Sequence, residues 1–300
     1  MPREYDFKAF DGKSVHVYVW DDVSKPSGMV QICHGMVEHA LRYDEFARFL
    51  NQNGFLVFAD DHRGHGKTDE KNLGYSDGDM FFDTLTDEVS LSDKYKQLYP
   101  DLPLVLLGHS YGSFVTQAYL QRYADRLSGV VLMGSAKMSG PSVTLGHMVA
   151  KRGKPQAAAE TIKRLTFDKY NKKLGCKCFV STIDAEAERY MNDPFCSFVC
   201  SNAFYESFFR GLKTLYKKSS LKKLRVDLPM LIVSGASDPV GSYGRSTKKL
   251  YSMYKRRGVR QIELKLFEDC LHEPLNDVAK QDCYELIKNF CLTAAGRSAT

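Results

Sequence analysis

Gly108-His109-Ser110-Tyr111-Gly112 sets a serine between two glycines, directly after the apolar run Leu102 to Leu107. A buried strand that passes through Gly-x-Ser-x-Gly into a helix is a nucleophile elbow. Phe114, Val115, Ala118 and Tyr119 supply the helical periodicity behind it. The turn is tight enough to strain Ser110, and glycines flank it because strand and helix pass too closely for side chains. The chemistry such a serine does is attack on a carbonyl carbon.

A serine hydroxyl needs a base, and the base needs a third group to orient it. In an open α/β sheet both lie on loops at the carboxyl ends of later strands. The run Pro229 to Ser234 ends in Gly235-Ala236-Ser237-Asp238-Pro239, and Gln261 to Phe267 ends in Glu268-Asp269-Cys270-Leu271-His272. Ser110, Asp238 and His272 therefore follow the Ser…Asp…His chain order of α/β-hydrolases. Asp269 is the rival acid. His34, His39, His62 and His65 come too early for the base and are expected to hydrogen-bond and shape loops. His109, at the elbow's variable position, is expected to point away from the nucleophile. Acyl transfer also needs backbone N–H groups for the developing oxyanion. Tyr111 follows the nucleophile and supplies one. Met36, in the loop His34-Gly35-Met36 after the third strand, supplies the other, and Gly35 permits close backbone approach.

The elements that must position these residues alternate. Runs around Asp11-Gly12 read as an antiparallel hairpin. Strands at 28–33, 55–59, 102–107, 129–133, 229–234 and 261–267 are separated by helical patterns near 43–50, 83–99, 114–120 and 244–256, and a last helix runs from about 276 to 290. That is a mostly parallel sheet of about eight strands flanked by helices, the α/β-hydrolase arrangement. The alternation stops between 136 and 225, where helical segments occur without a convincing strand. Residues 1–135 and 226–300 are thus the expected core, and 136–225 an inserted helical cap. The insertion holds 18 Lys+Arg and 7 Asp+Glu, a charge of +11; with 42 and 36 in the whole chain the remainder holds 24 and 29, or −5. A cap this basic suits an anionic membrane surface, touched peripherally. No groove-reading motif points to nucleic acid.

The first residues carry no apolar signal segment, and no apolar run approaches membrane-spanning length. Eight scattered cysteines fit a reducing, cytoplasmic setting. Cys176, Cys178, Cys196 and Cys200 could offer four thiolates, but their spacing is not that of a zinc ribbon or finger. No metal and no cofactor are expected.

His34-Gly35-x-x-Glu38-His39-x-x-Arg42-Tyr43, Asp60-x-His62-Arg63-Gly64-His65-Gly66 and the elbow together resemble the monoacylglycerol lipase and lysophospholipase branch of the α/β-hydrolases, grouped with the serine aminopeptidase (S33) hydrolases. Ser234-Gly235-x-x-Asp238, His272-Glu273 and, in the cap, Asn192-Asp193-Pro194 are similar to further segments of that branch. The resemblance implies a cofactor-free serine hydrolase acting on monoacylglycerols, lysophospholipids or similar monoesters. The loop departs from the pattern in having Met36-Val37 and no further glycine. Phe195, Phe198, Val199, Phe204, Tyr205, Phe208 and Phe209 crowd one part of the cap. They read either as an acyl tunnel, with Phe195 and Phe198 beside Gly35 touching substrate, or as the underside by which the cap packs on the core. Amide hydrolysis of aminopeptidase type is the alternative activity, and a non-catalytic binding protein on the same fold is a third.

Overall fold

The apolar runs form the middle of one sheet. The computed structural model describes residues 1–297. Its strands are β1 (Arg3–Lys8), β2 (Ser14–Trp20), β3 (Gly28–Cys33), β4 (Phe55–Asp60), β5 (Leu104–His109), β6 (Gly129–Met133), β7 (Met230–Gly235) and β8 (Ile262–Phe267). Their order across the sheet is β1-β2-β4-β3-β5-β6-β7-β8. β2 runs antiparallel to β1 and β4, and every other pair is parallel. β3 to β7 are buried along their whole length, as strands covered by helices on both faces must be.

The helices are α1 (Asp44–Gln52), α2 (Met80–Leu98), α3 (Tyr111–Leu120), α4 (Pro141–Arg152), α5 (Glu160–Leu165), α6 (Phe167–Leu174), α7 (Asp184–Asn192), α8 (Asn202–Leu215), α9 (Lys218–Leu221), α10 (Arg245–Arg256) and α11 (Lys280–Ala294). α1 and α11 cover one face of the sheet, with Phe46 and Tyr284 ring to ring at 4.8 Å. α2, α3 and α10 cover the other. Among the described residues no helix is long and apolar enough to cross a membrane.

Two boundaries differ from the sequence pattern. α11 starts at Lys280 rather than near Asn276 because the chain first makes a 3-10 turn at Pro274–Asn276. The Asp277 carboxylate is also engaged, accepting the N–H groups of Leu271 (2.7 Å) and Thr182 (3.1 Å). α2 starts at Met80, ahead of Asp83, whose carboxylate accepts the Asp79 N–H at 2.7 Å and closes the first turn.

Between β6 and β7 lie α4 to α9, joined by one isolated bridge between Ala158 and Ser201. α8 faces the core with Phe204, Tyr205, Phe208, Leu212 and Leu215. α6 buries no residue fully, and its lysines Lys172 and Lys173 are exposed.

Candidate active site

Ser110 stands between the end of β5 and the start of α3 with φ 49° and ψ −116°. A non-glycine residue there is strained by about 1–3 kcal/mol, which the surrounding structure must hold. Two contacts show how. The Ser110 N–H donates to the Met133 carbonyl at 3.0 Å. A Cβ on Gly112 would collide with the carbonyls of Cys33 and His34, so α3 approaches β3 as only glycine allows. Oγ is thereby pushed out at the carboxyl ends of the strands.

His272 Nε2 lies 2.8 Å from Ser110 Oγ. Asp238 Oδ2 lies 3.0 Å from His272 Nδ1, off the axis of the ring N–H. This is close enough for an ion pair, and such contacts align when the imidazolium forms. Asp238 is fully buried; its Oδ1 accepts the Val240 N–H (2.8 Å) and its Oδ2 the Ser234 hydroxyl (3.1 Å). Burial alone would raise the Asp238 pKa, but His272 and these donors hold it below the ordinary carboxylate value. Burial alone would lower the His272 pKa, but the charge of Asp238 outweighs it and raises it above 6.5. Asp269, the rival acid, is exposed and among the described residues forms no such pair.

The loop after β3, the expected oxyanion loop, is fixed peptide by peptide. His34 Nδ1 lies 2.7 Å from the Gly35 carbonyl, while its Nε2 accepts the His62 N–H at 2.9 Å. Burial pulls the His34 pKa well down, so the ring stays neutral with its proton on Nδ1. Because C=O and N–H point opposite ways across one peptide, that bond also aims the Met36 N–H. The Gly35 N–H donates to Glu38 Oε1 at 2.5 Å and the Val37 N–H to His65 Nε2 at 3.1 Å. Burial lowers the His65 pKa to about 3 and keeps it an acceptor. Among the described residues the N–H groups of Met36 and Tyr111 have no acceptor, and both residues line the cavity at Ser110. Val37 has φ 56°, unusual for a β-branched residue. It occupies the point where the sequence lacks a further glycine.

One part of the cap enters this site. The His272 and Glu273 N–H groups donate to the carbonyls of Phe179 (3.3 Å) and Val180 (2.8 Å). The Phe179 ring lies 5.4 Å from that of His272. Glu273 pairs with Arg42 through two bonds of 2.8 and 2.7 Å, and Arg42 also reaches Glu38 at 2.7 Å. His39 Nε2 meets Asp193 at 3.0 Å.

An open cavity of about 750 Å³ rises from Ser110 and His272 between core and cap. Its apolar wall includes Ile162, Phe167, Phe179, Tyr205, Phe208 and Phe209.

Three expected substrate contacts lie elsewhere. Phe195 packs edge-on against His39 at 5.6 Å, and Phe198 lies 5.4 Å from His65, because the chain between α7 and α8 crosses the core loops rather than the cavity. Gly35 does not line the cavity either; a Cβ there would strike the Glu38 carboxylate. The aromatic crowd is thus divided: Tyr205, Phe208 and Phe209 face the cavity, while Phe204 packs on Tyr111 and His65. His109 does not point away. Its ring lies 4.9 Å from His272, with Nδ1 2.9 Å from Glu38. All eight cysteines are free, and the four cap thiols do not gather to ligating distance among the described residues.

The strand order, the elbow after β5 and the Ser–Asp–His chain order define an α/β-hydrolase. The sequence model of the family described as serine aminopeptidase, S33 (Hydrolase_4) matches residues 24–279, and the chain belongs to that family. It is 28% identical over 285 residues to the monoglyceride lipase of Mus musculus, covering 92% of this chain and 86% of that protein. It is 28% identical over 276 residues to the monoacylglycerol lipase of Mycolicibacterium smegmatis, covering 91% of each. Among solved structures, a thermostable carboxyl esterase from Bacillus coagulans in complex with glycerol superposes with a TM-score of 0.88 at 28% identity, over 98% of this chain and 99% of that one.

Proposed function

We propose that this carboxylic ester hydrolase cleaves single-chain lipid esters, of monoacylglycerol or lysophospholipid type, through an acyl-enzyme on Ser110. The observation that carries the reading is the 2.8 Å approach of His272 Nε2 to Ser110 Oγ at the foot of an apolar cavity. Ser110 Oγ attacks the ester carbonyl as His272 takes its proton. The Met36 and Tyr111 N–H groups receive the oxyanion, and Asp238 balances the imidazolium. The intermediate collapses as His272 gives the proton to the departing alcohol. Water then repeats the sequence, and the fatty acid leaves. The aromatic wall suits an acyl chain.

Amide hydrolysis has less support. An aminopeptidase must grip an α-ammonium with free carboxylate, and the two carboxylates that line the cavity, Glu38 and Glu273, are both held by Arg42. The test is turnover of monoacylglycerols, lysophospholipids and p-nitrophenyl esters of graded chain length, beside aminoacyl arylamides. Medium or long acyl esters are expected to be cleaved and arylamides left intact. Ser110→Ala should lower the rate by about 10⁶-fold. Arylamide turnover above ester turnover, or preference for acetyl esters alone, would overturn the reading.

A further inference from the structure

The Val37 carbonyl lies one residue from the oxyanion donor Met36 and is gripped by the cap. It accepts the Tyr190 hydroxyl, from α7, at 3.1 Å and the Ser197 N–H, from the loop before α8, at 3.1 Å. On the other side of the same residue the Val37 N–H donates to His65 of the core. Val37 is buried and keeps φ 56°, a conformation that a β-branched side chain resists. A strained residue persists only where its surroundings over-determine it. Two of the three hydrogen bonds that do so here come from the cap. Tyr190 is itself held, with Arg42 stacked 4.8 Å above its ring and Arg42 bound to Glu38 and Glu273. Its hydroxyl is thus aimed at the loop carbonyl.

We infer that Tyr190 is a positioning residue for the oxyanion hole: its hydroxyl, through the Val37 carbonyl, holds the strained loop that presents the Met36 N–H to the reacting carbonyl. The cap then takes part in the chemical step and does more than cover the substrate. This rests on the acyl-enzyme reading above. Oxyanion donors act through placement, and loss of a whole donor slows acyl transfer by about 10²–10³-fold. Loosening one donor without removing it should have a smaller effect.

The experiment is Tyr190→Phe, which removes the hydroxyl and keeps the ring under Arg42. kcat is expected to fall about tenfold with KM within twofold. The loss should be equal for a monoacylglycerol and for a p-nitrophenyl ester of the same chain, because the oxyanion forms on the acyl half common to both. Inhibition by an alkyl trifluoromethyl ketone, which places an oxyanion on the Ser110 adduct, should weaken by a similar factor. Val37→Gly adopts the same φ without the side-chain penalty, and in the Tyr190→Phe background it should recover about half of the loss or more. A loss confined to glycerol esters would make Tyr190 an alcohol-binding residue and overturn the inference. So would full activity in Tyr190→Phe, or a lowered melting temperature that accounts for the whole loss without weaker ketone binding. Failure of the acyl-enzyme reading looks different: the wild-type protein itself would then lack activity that depends on Ser110.

Discussion

The two parts of the cap meet the core in different ways. Residues 178–200 are built into it by hydrogen bonds to main-chain groups. The Phe179 and Val180 carbonyls hold the His272 loop, Asp277 of the core holds Thr182, and Tyr190 and Ser197 hold Val37. Residues 141–174 lie over the cavity. Among the described residues they make no hydrogen bond to the loops of Ser110, Asp238 and His272, and pack through rings and helix faces on the rest of the cap: Phe167 and Tyr170 stand 5.2 and 5.5 Å from Phe179, and Gly146 of α4 lies against Phe209 of α8. Leu145, Met148 and Leu165 of this part are exposed. On the proposed function, one part of the cap serves the chemistry and the other the substrate.

The largest effect should come from the core beneath both parts. Asp238→Asn is expected to lower kcat by about 10⁴-fold. The residual activity should also titrate differently. The working base is neutral imidazole, so rate falls as pH drops through the His272 pKa, which Asp238 holds above 6.5. Removing that charge leaves burial to act alone, so the acid limb of kcat/KM should move to lower pH. A limb that stays in place would mean that another group sets it.

Arg42→Ala strikes the anchored part. It leaves Glu38 and Glu273, both buried, without their cation. Breaking a buried pair on one side costs about 3–5 kcal/mol, so the melting temperature should fall by roughly 10 °C. Calorimetry measures this shift.

Phe167→Ala strikes the overlying part and should have the smallest effect. A shortened cavity wall should reduce kcat/KM for long acyl esters by about three- to tenfold and leave short esters alone. The melting temperature should stay within about 2 °C of wild type. If Phe167→Ala destabilised the protein as much as Arg42→Ala, the distinction between the two parts would fail.

The convergence of Ser110, His272 and Asp238 was legible because its signals are redundant. The Ser110 elbow has a strand before it and a helix after it, and Asp238 and His272 each follow a strand end in the right order. That Met36 and Tyr111 line the cavity at Ser110 could be expected from their places next to those elements. The cavity lining was not legible. Phe195 and Phe208 are the same residue type in one crowded stretch, and only the path of the chain decides that one meets His39 and the other the cavity. The grip on His272 comes from the main-chain carbonyls of Phe179 and Val180, which leave no trace in residue type. His109 was misjudged because a buried carboxylate, Glu38, from a distant segment turns its ring toward the site. The missing glycine was visible as a departure, but the positive φ of Val37 and the cap hydroxyl that supports it were not.

Gly140 and Gly175, with φ of 95° and 66°, bracket α4 to α6, and space is open around both. Chain-length preference should therefore be transplantable. A donor segment from a relative, spliced in between these two points with its α8-facing surface matched, would arrive with its own acyl specificity and leave the host's turnover machinery untouched. A graft carried on through residue 197 would have to import the loop it braces as well.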